Sequence, residues 1–227
     1  MRPHFLLLFG CLMLLGCDQL PGRPKPGPEV PRPDQVMDFP TLYSQNCSGC
    51  HGPEGKNGSS YPLSNPVYQA LVDEQHLREV TASGIPGKLM PAFAASAGGT
   101  LTDQQIDVLV KGMRTAWYKP DALAGANPPP YQAAKQGDAT RGAAVYTTYC
   151  ASCHGAVGQA AKAKAGSITE PAFVGLVSDQ MLRTVIIAGR PDIGQPDWRN
   201  DQPGRPMSDQ EVTDVVAWLK NGKGAQQ

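Results

Sequence analysis

The sequence predicts a helical protein that contains two copies of one small domain. Its second half repeats the residue pattern of its first half. Each copy ends in an apolar-periodic segment that begins with a helix-capping signal, as expected for an amphipathic helix. Gly and Pro together make up about a fifth of the 227 residues, close to double the usual ~12%. We therefore expect helices in the periodic segments and long loops between them.

The repeat is clearest where residues 65–93 align without gaps with residues 170–198. Ten positions are identical: Pro66, Leu71, Val72, Gln75, Leu77, Arg78, Val80, Gly84, Pro86 and Pro91 recur as Pro171, Leu176, Val177, Gln180, Leu182, Arg183, Val185, Gly189, Pro191 and Pro196. Residues 101–110 match residues 207–216 in the same way. Self-similarity at a fixed offset is the signature of a duplicated structural unit.

Local signals place helices at both ends of each copy. Thr102 to Gln105 and Ser208 to Glu211 have the composition of capping boxes, in which two side chains satisfy the first free amides of a helix. Near the start of each copy, Tyr43 and Tyr146 stand four residues ahead of Cys47 and Cys150, which predicts a short helix that delivers these thiols.

The first and last helices of each copy should cross closely. Phe39 and Gly112 of the first copy correspond to Gly142 and Trp218 of the second. One bulky and one absent side chain, exchanged between the copies, predict a contact at which a glycine admits the aromatic ring.

The N-terminal residues predict export. Arg2 precedes an apolar run from Phe5 to Leu15 that is shorter than the ~20 residues of a membrane-spanning helix. Residues 1–16 are therefore interpreted as a signal peptide, and the residues before Cys17 resemble the lipobox of bacterial lipoproteins. An ordinary cleaved signal peptide is the alternative. The expected location is the periplasmic side of a bacterial membrane, with the inner membrane favoured. Residues 17–38 form a lipidated Cys and a Pro-rich tether, which should be extended.

Four of the six cysteines lie in two copies of one motif. Cys47, Cys50 and His51 recur as Cys150, Cys153 and His154. In the C-x-x-C-H pattern two thiols add to the vinyl groups of haem and the histidine reaches the iron, so we expect two covalently bound haem c groups. A thioredoxin-like redox pair is the main alternative for a single motif of this kind.

These features divide the chain into a first domain at 39–120, a linker at 121–134 around Pro128 to Pro130, and a second domain at 135–227. Lys and Arg total 20 and Asp and Glu total 20. This balance gives no electrostatic signal for nucleic-acid binding.

The two motifs and the repeat together resemble a di-haem member of the class I cytochrome c family. The resemblance covers nearly all of the chain after the tether. It implies an all-α fold of two tandem domains, each with a few helices around a covalently bound haem. It also implies electron transfer as the task, and a Met before the last helix as the sixth iron ligand.

The iron ligands are assigned from these patterns. His51 and His154 are the expected proximal ligands, and Met90, followed by Pro91, is the expected sixth ligand in the first copy. His76 aligns with Met181 within a helix and should be a packing or surface residue. Met113, at apolar spacing in the last helix of the first copy, should be a core residue.

The second copy leaves two alternatives for the sixth ligand. The ungapped alignment puts Gln195 at the position of Met90, and Met207 at the position of Leu101, just before the helix cap. A Gln amide is a weak partner for reduced haem iron, and the loop between these residues contains Gly and Pro that would let Met207 fold back. Met207 is therefore preferred, with Gln195 or an open position as the alternative.

The expected function is transfer of single electrons between a membrane respiratory (quinol-oxidising) complex and a terminal oxidase or reductase. Redox partner proteins and a membrane reached through the lipid anchor are the expected partners, without nucleic acid. The alternative is a di-haem redox enzyme, similar to a peroxidase or a thiosulfate dehydrogenase, that uses an open or weakly ligated second haem. No catalytic residue is assigned, and Asp192 and Asp197 are interpreted as turn residues in contact with solvent.

Overall fold

The computed structural model describes residues 27, 29–156, 166–200, 202 and 204–221. The predicted signal peptide and the predicted lipidation site Cys17 lie outside the described residues. The chain divides into two compact units, residues 1–35 and 36–227. In the described part of the first unit, Pro33–Gln35 forms one turn of 3-10 helix, so the predicted tether is not extended throughout.

The second unit is helical, and the part of the chain that the structure describes contains no β-strand, only two isolated bridges. The described residues of this unit form ten α-helices: α1 Phe39–Asn46, α2 Ser48–His51, α3 Pro66–Leu71, α4 Glu74–Ser83, α5 Asp103–Trp117, α6 Ala139–Tyr149, α7 Ala151–His154, α8 Pro171–Leu176, α9 Asp179–Ala188 and α10 Asp209–Lys220. Two short 3-10 helices, Ala95–Ala97 and Pro191–Ile193, follow α4 and α9. Helices α6 to α10 repeat the order of α1 to α5, which confirms the all-α prediction of two tandem copies.

Side-chain caps explain where the helices begin. The predicted capping boxes are present in both copies, because Thr102 and Gln105 bond reciprocally at α5 and Ser208 and Glu211 do the same at α10. Asp38 and Asp138 cap α1 and α6 through their carboxylates. Each cap satisfies amides that have no partner within the helix.

The predicted crossing of first and last helices is confirmed. A Cβ built on Gly112 of α5 would lie 2.1 Å from the Phe39 ring of α1. In the second copy, a Cβ on Gly142 of α6 would lie 2.1 Å from the Asp214 carbonyl oxygen and 2.6 Å from the Trp218 Cβ in α10. Both glycines are therefore needed for the close approach of the two helices.

A basic residue near the end of the last helix of each copy binds the C-terminal end of a short helix, α3 in the first copy and α8 in the second. Arg114 of α5 donates to the carbonyl oxygens of Gln69 and Val72, at the C-terminal end of α3. Lys220 of α10 donates to the carbonyl oxygens of Val174 and Val177, at 2.9 and 2.6 Å. A cation suits these sites because the last carbonyls of a helix are unpaired and carry partial negative charge.

The hydrophobic core is continuous between the two copies. One cluster of buried side chains includes Tyr61, Tyr68 and Val72 of the first copy and Leu182, Ile187 and Trp198 of the second. A smaller cluster in the first copy contains Leu42, Tyr43, Ala94, Leu101, Ile106 and Leu109. Met113 is buried in the larger cluster, which confirms it as a core residue.

Residues 121–134, the predicted linker, form turns and irregular chain. They also pack on both copies through Tyr131. Its ring lies 5.0 Å from the His76 ring and 6.5 Å from the Tyr68 ring. Its carbonyl oxygen accepts hydrogen bonds from Gln180 and Arg183 of α9. His76 therefore has the packing role predicted for it.

Among the described residues, no helix combines the length and the apolar character that crossing a bilayer requires.

Candidate haem sites

The first C-x-x-C-H motif lies at the junction of two helices. Cys47 ends α1, and Cys50 and His51 belong to α2. The Tyr43 hydroxyl donates to the Gly52 carbonyl oxygen at 3.0 Å and closes the turn. Gly52 has a φ of 81°, and a Cβ there would lie 1.8 Å from the Lys56 carbonyl oxygen. The glycine after the motif is thus required by both conformation and space.

The second motif has the same construction. Cys150 ends α6, and Cys153 and His154 belong to α7. The Tyr146 hydroxyl donates to the Gly155 carbonyl oxygen at 2.9 Å, and Gly155 has a φ of 84°. None of the four motif cysteines forms a disulfide. The short helices predicted to deliver the thiols are therefore present in both copies.

Each motif histidine has one ring nitrogen engaged by the backbone. His51 Nδ1 lies 2.7 Å from the Tyr61 carbonyl oxygen, and His154 Nδ1 lies 3.0 Å from the Gly166 carbonyl oxygen. A carbonyl partner requires that Nδ1 carry the proton, which leaves Nε2 as the metal-binding nitrogen. Burial lowers the pKa of His51, so its imidazole is neutral at pH 7, the form that binds iron.

The first cysteine of the first motif lacks the chemistry of a redox-active thiol. Burial, reinforced by the charge of Cys50, raises the pKa of Cys47 to about 12. Reactive cysteines in thioredoxin-like pairs instead have a lowered pKa, because the thiolate is the nucleophile. The raised pKa of Cys47 therefore disfavours the thioredoxin-like alternative for the first motif.

The predicted sixth ligand of the first copy lies in a closed loop after α4. Met90 is partly buried, and its carbonyl oxygen accepts from the Ile85 N–H at 2.9 Å. In the second copy, the Gln195 carbonyl oxygen accepts from the Arg190 N–H at 3.0 Å. Gln195 is also partly buried, and its Nε2 is 3.4 Å from the Val185 carbonyl oxygen. The same closing hydrogen bond therefore recurs in both loops, and in the second loop the Gln195 N–H also donates to the Arg190 carbonyl oxygen at 3.0 Å.

Met207 lies in the core of the second copy. Its side chain is 2% exposed, and its N–H donates to the Trp198 carbonyl oxygen at 2.9 Å. Leu101 is 5% exposed, and its N–H donates to the Phe93 carbonyl oxygen at 2.8 Å. Met207 thus occupies the same structural position as Leu101, as the alignment indicates.

Contacts between the copies connect the two sites, which sequence reasoning missed. The Tyr61 hydroxyl donates to the Gly189 carbonyl oxygen at 3.1 Å, and Asn65 Nδ2 donates to the Ala188 carbonyl oxygen at 2.7 Å. The positive charge of Arg190 contributes to the lowered pKa of His51. The loop of Gln195 therefore adjoins the proximal side of the first site. One signal was available, because Tyr61 and Asn65 do not recur in the second copy.

The two aspartates near Gln195 are bound by arginines. Asp192 pairs with Arg190 at 2.7 Å and Asp197 pairs with Arg199 at 2.6 Å. The hydrogen bonds from Arg190 lower the pKa of Asp192. Asp192 is 6% exposed in its side chain, so it is held within the loop by its partner, a role different from the predicted contact with solvent.

A family model described as "Cytochrome C oxidase, cbb3-type, subunit III" matches residues 34–111 and 137–219, which together make up more than half of the chain. The chain belongs to this family of cytochrome c domains. Both matched segments contain one C-x-x-C-H motif. The family implies covalently bound haem c and electron transfer by a haem protein. No curated protein matches the chain.

The residues present fit haem c. Each cytochrome c motif offers two thiols without disulfides and one imidazole whose Nδ1 is already bonded. Two large apolar side chains close in sequence to the predicted sixth-ligand positions are exposed, as expected for surface that a macrocycle covers: Leu89 before Met90, and Ile193 before Gln195. The assignment of Met90, Gln195 or Met207 to iron remains a prediction.

Proposed function

We propose that this protein is a di-haem c-type cytochrome that passes single electrons between a membrane respiratory (quinol-oxidising) complex and a terminal oxidase or reductase. The observation that carries the proposal is the duplicated attachment site. Both motifs present two thiols and a histidine with the same hydrogen bond at Nδ1. Hydrogen bonds from Tyr61 and Asn65 to the Gly189 and Ala188 carbonyl oxygens join the two copies, which supports transfer between neighbouring centres.

The residues of the chain have defined tasks in this proposal. Each motif thiol would add across one vinyl group of a haem, with sulfur bonding one carbon and the thiol hydrogen going to the other. His51 and His154 would hold the iron through Nε2, and the carbonyl oxygens of Tyr61 and Gly166 orient their rings. Met90 would supply a soft thioether, which favours reduced iron and a higher reduction potential. When bound, haem supplies an iron that gains and loses one electron.

Location and partners follow from the N-terminal prediction and the family. We propose export, lipidation at Cys17, and attachment to the periplasmic side of a membrane, with the inner membrane favoured. The residues after Cys17 would then hold the two cytochrome c domains at a distance from the membrane surface. The balance of 20 basic and 20 acidic residues suits docking through local patches. The family description, an oxidase subunit, supports an oxidase as one partner.

Haem counting tests the proposal directly. The full chain, produced in cells that attach haem c, should carry two haems by mass and should titrate with two one-electron steps. Replacing both Cys150 and Cys153 by Ser should leave one haem. Ser152→Ala, in the same motif but outside the attachment set, should keep two. One haem in the wild-type chain would contradict the proposal.

Co-purification from membranes tests the partners. A quinol-oxidising complex or a terminal oxidase that remains with the cytochrome would support the proposed place in respiration. A stable stoichiometric complex would indicate a permanent subunit, and transient binding would indicate a diffusing carrier. Reduction by neither class of complex would contradict the proposed partners.

The second candidate, a di-haem redox enzyme, is favoured by one observation only: Gln195 stands where the first copy has Met90. Acid–base residues beside it do not stand out, because Asp192 and Asp197 are paired with arginines. Peroxide-dependent oxidation of a reduced donor by the purified protein would favour the enzyme. Its absence, with rapid electron exchange, would favour the carrier.

A further inference from the structure

We propose that the haem at Cys150, Cys153 and His154 lacks a strong protein ligand at its sixth position, and that this position binds a small neutral ligand such as carbon monoxide in the reduced protein. The proposal rests on the proposed function, because it requires a haem at this motif. It names Gln195 as the residue at the sixth position and removes Met207 from the ligand set.

The loop geometry places Gln195 where Met90 stands. The carbonyl oxygens of both residues accept from the N–H five positions earlier, that of Ile85 in the first copy and that of Arg190 in the second. Both residues are followed by proline, Pro91 and Pro196. Because one closing hydrogen bond and one proline recur in two copies of one domain, Met90 and Gln195 have equivalent places in the backbone.

A glycine fixes each loop against the helix before it. Gly84 and Gly189 have φ values of 66° and 68°. A Cβ on Gly84 would lie 2.5 Å from the Pro91 carbonyl carbon, and one on Gly189 would lie 2.7 Å from the Pro196 carbonyl oxygen. Because both loops are held this closely, a slip that brings another residue to the place of Gln195 would break both the turn and the packing.

Met207 is fixed in the core by its neighbours. Its N–H bond to Trp198 matches that of Leu101 to Phe93, and its side chain is packed with the buried residues of α10. The next residue, Ser208, is held by the capping box of α10. Moving Met207 to iron would empty a core position, which is strongly unfavourable for a large apolar side chain.

The chemistry of Gln195 makes it a weak ligand for reduced iron. Its amide oxygen is a hard donor, of the class that suits magnesium or calcium, whereas a thioether is soft. Its Nε2 already lies 3.4 Å from the Val185 carbonyl oxygen. Met181, the other methionine of the second copy, lies in α9 and packs against the core. Carbon monoxide should therefore bind the second haem without displacing a thioether.

Carbon monoxide titration of the reduced holo-protein tests the proposal. Haem is counted first, and the wild-type protein should then bind one carbon monoxide per two haems. In the oxidised protein, the weak red absorption band that marks a Met–iron bond should have the intensity of one haem. Gln195→Met should abolish carbon monoxide binding and double the red band. Met90→Gln should remove the band and allow two carbon monoxide molecules to bind.

Met207→Leu is the matched control, because it gives the second copy the residue of the first. It should leave the red band and the binding stoichiometry unchanged. Two haems without carbon monoxide binding, or a red band halved in Met207→Leu, would overturn this inference and leave the proposed function intact. A wild-type chain with one haem would overturn both.

Discussion

The two copies have an arginine at the same position of equivalent helices, yet the environments of the two side chains differ. Arg78 in α4 has a 41% exposed side chain and pairs with Asp103 and Asp107. Arg183 in α9 is 3% exposed and bonds Asp209, Thr213 and the carbonyl oxygens of Pro130 and Tyr131. The linker covers only the second arginine. The contribution of a repeated residue to stability therefore depends on the residues that pack on it, even where its position in the helix is unchanged.

The largest effect expected from this comparison is at Arg183. Arg183→Ala should lower the free energy of unfolding by about 4 kcal/mol, because it leaves a charge partner and linker carbonyls without their donor. Arg78→Ala is the matched control and should cost far less, since exposed ion pairs contribute little. Denaturant unfolding of both variants measures the difference. Equal costs would show that burial by the linker is energetically irrelevant.

The helix crossings give the next effect. Gly142→Ala should destabilise the protein by about 2–3 kcal/mol, because the new Cβ meets a backbone carbonyl. Gly112→Ala should cost less, because the obstacle is the Phe39 ring. Adding Phe39→Ala to Gly112→Ala should remove the clash with the ring and recover stability. Adding Trp218→Ala to Gly142→Ala should not recover stability, since the Asp214 carbonyl remains. Denaturant unfolding of these four variants tests the contrast, and rescue in both copies would refute it.

A buried carboxylate, Asp214, makes the second crossing sensitive to acid. Asp214 is 4% exposed, and Val108 has the equivalent position. Burial opposes ionisation of Asp214, but hydrogen bonds from Arg141, the Asp138 N–H and Gln210 outweigh it and lower its pKa. A lowered folded pKa stabilises the protein above the ordinary value of 3.8, and this contribution is lost as the pH falls through the folded pKa.

Asp214→Asn should therefore cost about 1–2 kcal/mol at pH 7, and the cost should shrink as the pH falls below about 4. Unfolding measured over a pH series gives the difference from wild type at each pH. Val108→Ala, which changes no charge, should show a cost that does not depend on pH. A constant difference for Asp214→Asn would contradict the assigned role of its charge.

The smallest effect concerns the reduction potential of the first haem. Arg190→Gln removes a positive charge near His51, which favours the oxidised iron and should lower the reduction potential. The expected shift is at most about 59 mV, which for one electron is a tenfold change in the equilibrium constant for reduction. The red band of the Met90 haem, lost on reduction, reports the first haem separately. Arg199→Gln, in the same loop, is the control and should shift it less. Equal shifts would indicate a general effect of charge.

Much of the fold could be predicted from the sequence because its signals are local. A capping box needs only residues three positions apart, so Thr102 and Ser208 predicted the starts of α5 and α10 correctly. The exchange of Gly and aromatic residues predicted the helix crossing, because a missing side chain records a close approach. The predicted attachment residues could also be named from the sequence, because the C-x-x-C-H motif spans only five positions.

The surroundings of the Arg183, Arg190 and Met207 side chains could not be predicted in this way. The cover over Arg183 comes from residues some 50 positions earlier, as the Pro130 and Tyr131 contacts show. Arg190 adjoins His51 only because the two copies pack together. The alignment with Leu101 pointed to a core position for Met207, but the side chains that bury it include residues distant in sequence.

The sequence by itself determined that there are two copies, where their helices begin, and which thiols and histidines form each motif. These properties depend on spacing along the chain, which the sequence records directly. Only the tertiary structure decided which equivalent residues are buried and which charges meet across the copies. Burial and electrostatic contact depend on residues distant in sequence, so they are defined only once the chain has packed.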